Sequence, residues 1–128
     1  MKSFRKLSTL VLCSALLSCF TIQAQAMTNG ELVNIAKHTK FDVCGGQTLQ
    51  KIVNKSVKNV TWTPRLNTNV GNLVNIEGNF KEFGSLMAMQ FKVNNDKSLK
   101  LRLMIVNGSV KSQEDSILEF VRMCRKVR

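Results

Sequence analysis

The chain has 128 residues, 44% of them apolar and 21% charged, and its 19 Lys and Arg against 8 Asp and Glu give a formal net charge of +11 at pH 7. These figures allow one compact domain and exclude a repeat array, a collagen-like chain and a low-complexity polymer.

Lys2, Arg5 and Lys6 precede an apolar stretch over residues 7–20, the order of the n-region and h-region of an export signal. Ala24 and Ala26 then place two small side chains at signal-peptidase spacing, so cleavage is expected after Ala26. Residues 27–128 remain as one α+β domain. A membrane-spanning anchor needs about 20 predominantly apolar residues, and Ser14, Ser18, Thr21, Gln23 and Gln25 break this run. The alternative is lipid attachment at Cys19, because Leu16-Leu17-Ser18-Cys19 loosely resembles a lipobox, with Leu17 bulkier than that motif prefers. The expected setting is an exported protein of a bacterial periplasm, with no transmembrane anchor in its mature form.

Without the leader, 16 basic and 8 acidic side chains remain, and of the four cysteines only Cys44 and Cys124. Two cysteines in an exported chain point to one disulfide. It would close a loop of about 80 residues, for which chain entropy gives on the order of 4 kcal/mol. The competing reading makes Cys44 a nucleophile with His38 as its base and Asp42 between them, a spacing that carries no family signature.

Thr28, followed three residues later by Glu31, reads as a capping box opening a first helix that ends near His38. Leu32, Ile35 and Ala36 supply its apolar stripe. Gly45 and Gly46 permit a tight bend. Leu49, Ile52, Val53 and Val57 repeat the helical spacing and predict a second helix over 47–58, whose other side carries Lys51, Lys55 and Lys58 as a basic ridge.

From residue 59 the period changes to two, the mark of strands with one buried face. Val60 and Trp62 point inward, with Thr61, Thr63 and Arg65 outward. Pro64 lacks an amide proton, so this strand is an edge or ends there. Residues 67–72 make a polar turn. In the next strand Val74, Ile76 and Phe80 face inward, Gly78 marks a bulge, and 80–84 reverse the chain. The clearest hairpin joins Met87, Met89, Phe91 and Val93 to Leu99, Leu101, Leu103 and Ile105 through a turn at 94–97. Its opposite parity carries Ala88, Gln90 and Lys92, then Lys100, Arg102 and Met104. After Asn107-Gly108, Ser112 and Asp115 cap a last helix with Ile117, Phe120, Val121 and Cys124 as its inward stripe.

The expected fold is α+β: two N-terminal helices, a four-stranded antiparallel meander and a C-terminal helix packed on one sheet face, clasped by a Cys44–Cys124 disulfide.

Chemical motifs are sparse. There is no glycine-rich phosphate loop, no His or Cys pair at metal spacing and no nucleophile elbow, so neither cofactor nor metal is expected. Ser56, Ser85 and Ser109 have no flanking pattern that marks a nucleophile, and Glu77 with Glu82 could work as an acid and base pair across a hairpin, although eight acids in the chain make such a pair expected by accident. Leu86, Met87, Met89 and Met104 read as core fillers rather than as a peptide-binding patch. What remains is charge on an uncovered sheet face, from Arg65, Lys92, Lys100 and Arg102, and on the Lys51, Lys55 and Lys58 ridge. Such a surface suits an acidic protein partner or an anionic envelope polymer, set against the plainer reading of solvated charges that keep strands from pairing edge to edge. Nucleic acid is disfavoured, because no aromatics interleave with the basic residues. The functional expectation is a non-catalytic binding or accessory protein, such as an envelope assembly factor, an inhibitor or an immunity protein. The alternatives are a small hydrolase acting on an envelope polymer and a structural subunit of an envelope complex.

Overall fold

Thr28 opens α1 (Asn29–His38) by a reciprocal cap: its hydroxyl accepts from the Glu31 amide at 3.1 Å, and the Glu31 carboxylate accepts from the Thr28 amide at 2.8 Å. This computed structural model describes residues 27–127, so the export signal and the Cys19 alternative lie outside the described residues. Leu32 and Ala36 are the buried residues of α1.

The segment expected as a simple bend has more structure. Two short strands, β1 (Lys40–Phe41) and β2 (Gln47–Thr48), pair antiparallel around a single 3₁₀ turn at Asp42–Cys44. Gly45 and Gly46 close it, both in the left-handed region (φ 70° and 77°) that glycine enters without a Cβ penalty. Thr48 then caps α2 (Leu49–Ser56) by accepting the Lys51 amide at 3.2 Å. The helix is shorter than the predicted 47–58: Gln47 is held in the small sheet, and Val57 is already extended and paired with Phe80.

The main sheet is an antiparallel meander of β3 (Val57–Thr68), β4 (Gly71–Phe80), β5 (Leu86–Val93), β6 (Leu99–Val106) and β7 (Ser109–Val110). It has five strands rather than four, because Asn107 and Gly108, both at positive φ, fold Ser109 and Val110 back onto Val106 and Ile105. With the 3₁₀ turn and the small sheet, the element count exceeds the expected one while the class stays α+β. β3 continues through Pro64, paired with Val74, and lies at the sheet edge, the position where a strand tolerates a residue without an amide proton. Helices α1 and α2 contact β3, and α3 (Gln113–Arg125) contacts β6, so all three cover the same face.

Three register shifts interrupt the main sheet, between Lys58 and Thr61 and between Arg65 and Thr68 on β3 and opposite Gln90 and Phe91 on β6, and the first and last set which side chains meet the helices. Lys58 pairs with Asn79 and Thr61 with Glu77, so Asn59 and Val60 together oppose Gly78. The extra residue is therefore on β3, and Gly78 is the partner that lets it approach: a Cβ there would lie 2.6 Å from Val57 Cγ1 and 2.7 Å from the Lys58 carbonyl oxygen. Gly78→Ala must push backbone apart and is expected to lower the unfolding free energy by about 1–3 kcal/mol in a urea titration.

The last shift lies on β6, where Gln90 pairs with Leu103 and Phe91 with Leu101, leaving Arg102 as the additional residue. The inward parity therefore changes along the strand. Leu99 and Leu101 pack on the core as predicted, but beyond Arg102 it is Met104, fully buried, and Val106 that do so. Leu103 and Ile105, expected inside, pair with Gln90 and Ala88 on the outer face. Leu86, read as a core filler, is 64% exposed.

Ser112 caps α3 by accepting the Asp115 amide at 3.1 Å. Its buried stripe is Ser116, Phe120, Met123 and Cys124, whereas Ile117, assigned to the core by spacing, is 46% exposed, and Val121 is only half-buried. Tertiary restraints set that rotation. Cys124 is disulfide-bonded to Cys44 in the 3₁₀ turn, and the Phe120 ring stands edge-on to Phe41 (5.1 Å) and Phe91 (5.7 Å).

Candidate anion-binding face

The side of the sheet away from the helices carries the four predicted cations at one end. Arg65 is opposite Leu73, Leu73 opposite Lys92, and Lys92 opposite Lys100, so one row crosses β3 to β6. Three inter-strand steps make that row about 14 Å long. Leu73 is buried although it lies on this face, with Arg65 and Lys92 as its cross-strand neighbours, an arrangement in which aliphatic stems cover a leucine and the charged heads stay in water. The bulge places Arg102 beside the row, where its guanidinium donates to Gln90 Oε1 while Gln90 Nε2 donates to Asn75 Oδ1 at 2.9 Å.

Carboxylates do not neutralise this end. The ion pairs among the described residues join Glu82 to Lys126 (2.8 Å) and to Arg122 (3.5 Å), and Arg122 to Glu119. A cavity of about 440 Å³ is bordered by Lys92, Lys100, Arg102 and Gln113, and past Lys92 and Asn94 it adjoins one of about 620 Å³ between the two hairpin ends. Asn67, Asn69, Asn72 and Asn95 line that second space. Arg65 borders neither cavity.

The predicted lysine ridge does not form as read. Helix α2 ends at Ser56, so Lys58 belongs to β3 and pairs with Asn79, away from Lys51 and Lys55. Lys51 and Lys55 instead gather with Lys81 and Lys126 around a cavity of about 430 Å³. The Lys81 amide donates to the Ser56 carbonyl at 2.8 Å, a long-range contact that no sequence spacing signals.

The catalytic alternatives separate. Cys44 is in the disulfide and offers His38 no thiol; His38 Nδ1 sits 2.9 Å from the Asn34 carbonyl oxygen at the exposed end of α1. Glu77 lies in β4 opposite Thr61 and Ala88, while Glu82 is in the turn after β4, committed to Lys126 and Arg122. The hydrogen bond from Lys126, with its charge, holds the Glu82 carboxyl below the usual carboxylate range, so this exposed group is an anion rather than a proton donor near neutrality. The Ser56 hydroxyl is buried without a partner, and no group of three His, Cys, Asp or Glu gathers among the described residues.

No protein family, curated protein or solved structure matches the chain. Unpaired ammonium and guanidinium groups next to a groove of side-chain amides can hold a ligand that presents anions and, beside them, hydroxyls, because amides both donate and accept.

Proposed function

We propose that the chain works after export as a non-catalytic binding or accessory protein that takes an anionic envelope polymer along the bare sheet face. The supporting observation is the register of Lys92 directly opposite Lys100. Like charges facing each other across strands destabilise a sheet, and Arg102 next to them adds to the repulsion. An acid at either position would remove that cost, and local rules of this kind are broken most often where function requires it. A polymer fits better than a compact acidic protein because the cations form a straight row that continues into an amide-lined groove. Export rests on the leader pattern and on the Cys44–Cys124 bond, which persists in oxidising compartments.

The test is calorimetric titration with polygalacturonate as a carboxylated glycan and dextran as its neutral counterpart. Binding is expected to polygalacturonate alone and to weaken as salt shortens the screening length to about 8 Å or less. Lys100→Glu should weaken it about tenfold or more yet raise the unfolding free energy by up to about 1 kcal/mol, since it turns a repulsive cross-strand pair into an attractive one. Unchanged capture of the natural partner after charge reversal at Lys92, Lys100 and Arg102 would refute the assignment.

A further inference from the structure

We propose that the turn after β4, with the lysines gathered beside it, is a second site that docks the protein on an anionic lipid surface. Phe83 is 70% exposed at the tip of this turn. Its exposure does not come from a loose loop. The Lys81 amide donates to the Ser56 carbonyl and the Gly84 amide to the Phe80 carbonyl, each at 2.8 Å, and Glu82 ties the turn to α3 through Lys126 and Arg122. A ring held out in water by a braced turn is an apolar group without a partner in the fold.

The charges around it decide the occupant. Lys51, Lys55, Lys81 and Lys126 border one cavity of about 430 Å³. Glu82, an acid in the turn, is occupied by Lys126 and Arg122, and Lys51, Lys55 and Lys81 have no carboxylate partner in the ion pairs among the described residues. A small soluble anion would use the lysines but leave Phe83 in water. A bilayer uses both: the ring enters the boundary between headgroups and acyl chains while ammonium groups remain among lipid phosphates. No helix among the described residues is long and apolar enough to cross a membrane, so the contact proposed is peripheral. The site lies where α2 and α3 meet the turn, not on the outer-face row, and it stands independently of the polymer reading.

The experiment is flotation of the disulfide-bonded protein, as recovered from its host, with vesicles of phosphatidylglycerol mixed with phosphatidylcholine or of phosphatidylcholine alone. Binding is expected to the first and not to the second, and to be lost at high salt. Phe83→Ser should weaken it about tenfold. The triple variant Lys51→Gln, Lys55→Gln, Lys81→Gln should weaken it about a hundredfold. These four residues are exposed, so both variants should keep the parent unfolding midpoint. Lys92→Glu with Lys100→Glu should leave vesicle binding within about twofold, because those side chains belong to the other face. The proposal is overturned by equal binding to both vesicles, by wild-type binding of Phe83→Ser, by loss of binding in the sheet-face variant, or by soluble glycerophosphate binding as tightly as the vesicles.

Discussion

Replacing Cys44 and Cys124 by alanine is expected to lower the unfolding free energy by about 4 kcal/mol, the loop-closure entropy for a link across 80 residues. A domain of this size is stable by roughly 5–15 kcal/mol in total, so the loss takes much of the margin. The disulfide joins the 3₁₀ turn after α1 to the last turn of α3, and without it the denatured chain expands. The dependence of unfolding free energy on urea should therefore steepen while stability falls. Both sulfurs are fully buried and the rings of Phe41, Phe91 and Phe120 pack close together. The native fold of the variant should thus persist at low temperature, with its near-ultraviolet dichroism retained. A loss under about 1 kcal/mol would mean that the denatured state is already compact, and that the bond is not what makes the fold durable. The bond persists in an oxidising compartment, so the added stability is realised there.

The features legible in the sequence are those with local causes. The Thr28 and Glu31 cap, the Thr48-to-Ser56 helix apart from its ends, the edge position of the Pro64 strand and the 94–97 turn each rest on groups a few residues apart. Pairing of Cys44 with Cys124 is legible by elimination if Cys13 and Cys19 belong to the expected leader. What escaped depends on partners distant in the chain. Strand β7 and the β1–β2 pair are two residues each, too short to display a period. Spacing misplaces the α3 stripe at Ile117 because Ile117 and Met123 are both apolar, and it cannot choose between them when a disulfide and an aromatic cluster fix the rotation. Lys81 and Lys126 joined Lys51 and Lys55 through a backbone bond from the turn to α2, whereas Lys58 left them once Val57 entered the sheet.

The β6 bulge has the sharpest test, because it reverses which of two adjacent residues matters. Residues 103–106 are Leu, Met, Ile and Val, an unbroken apolar run in which either parity satisfies a core, so no pattern reveals a slip. With Arg102 as the extra residue, Met104→Ala opens a cavity among fully buried neighbours such as Met89, its cross-strand partner, and should cost about 2–5 kcal/mol. Leu103→Ala removes a half-buried side chain from the outer face beside Gln90 and should cost under about 1 kcal/mol. A regular strand predicts the opposite order, with Leu103 inside and Met104 in solvent. Urea titration of the two variants therefore distinguishes the registers without any ligand. The result also bears on the binding face: the same irregularity sets Arg102 and Leu103 on one side in succession and aims the guanidinium at Gln90. If Leu103→Ala proves the costly change, the strand is regular: Arg102 then stays on the outer face, directly opposite Gln90, and it is Leu103, not Arg102, that leaves the side along which the polymer would lie.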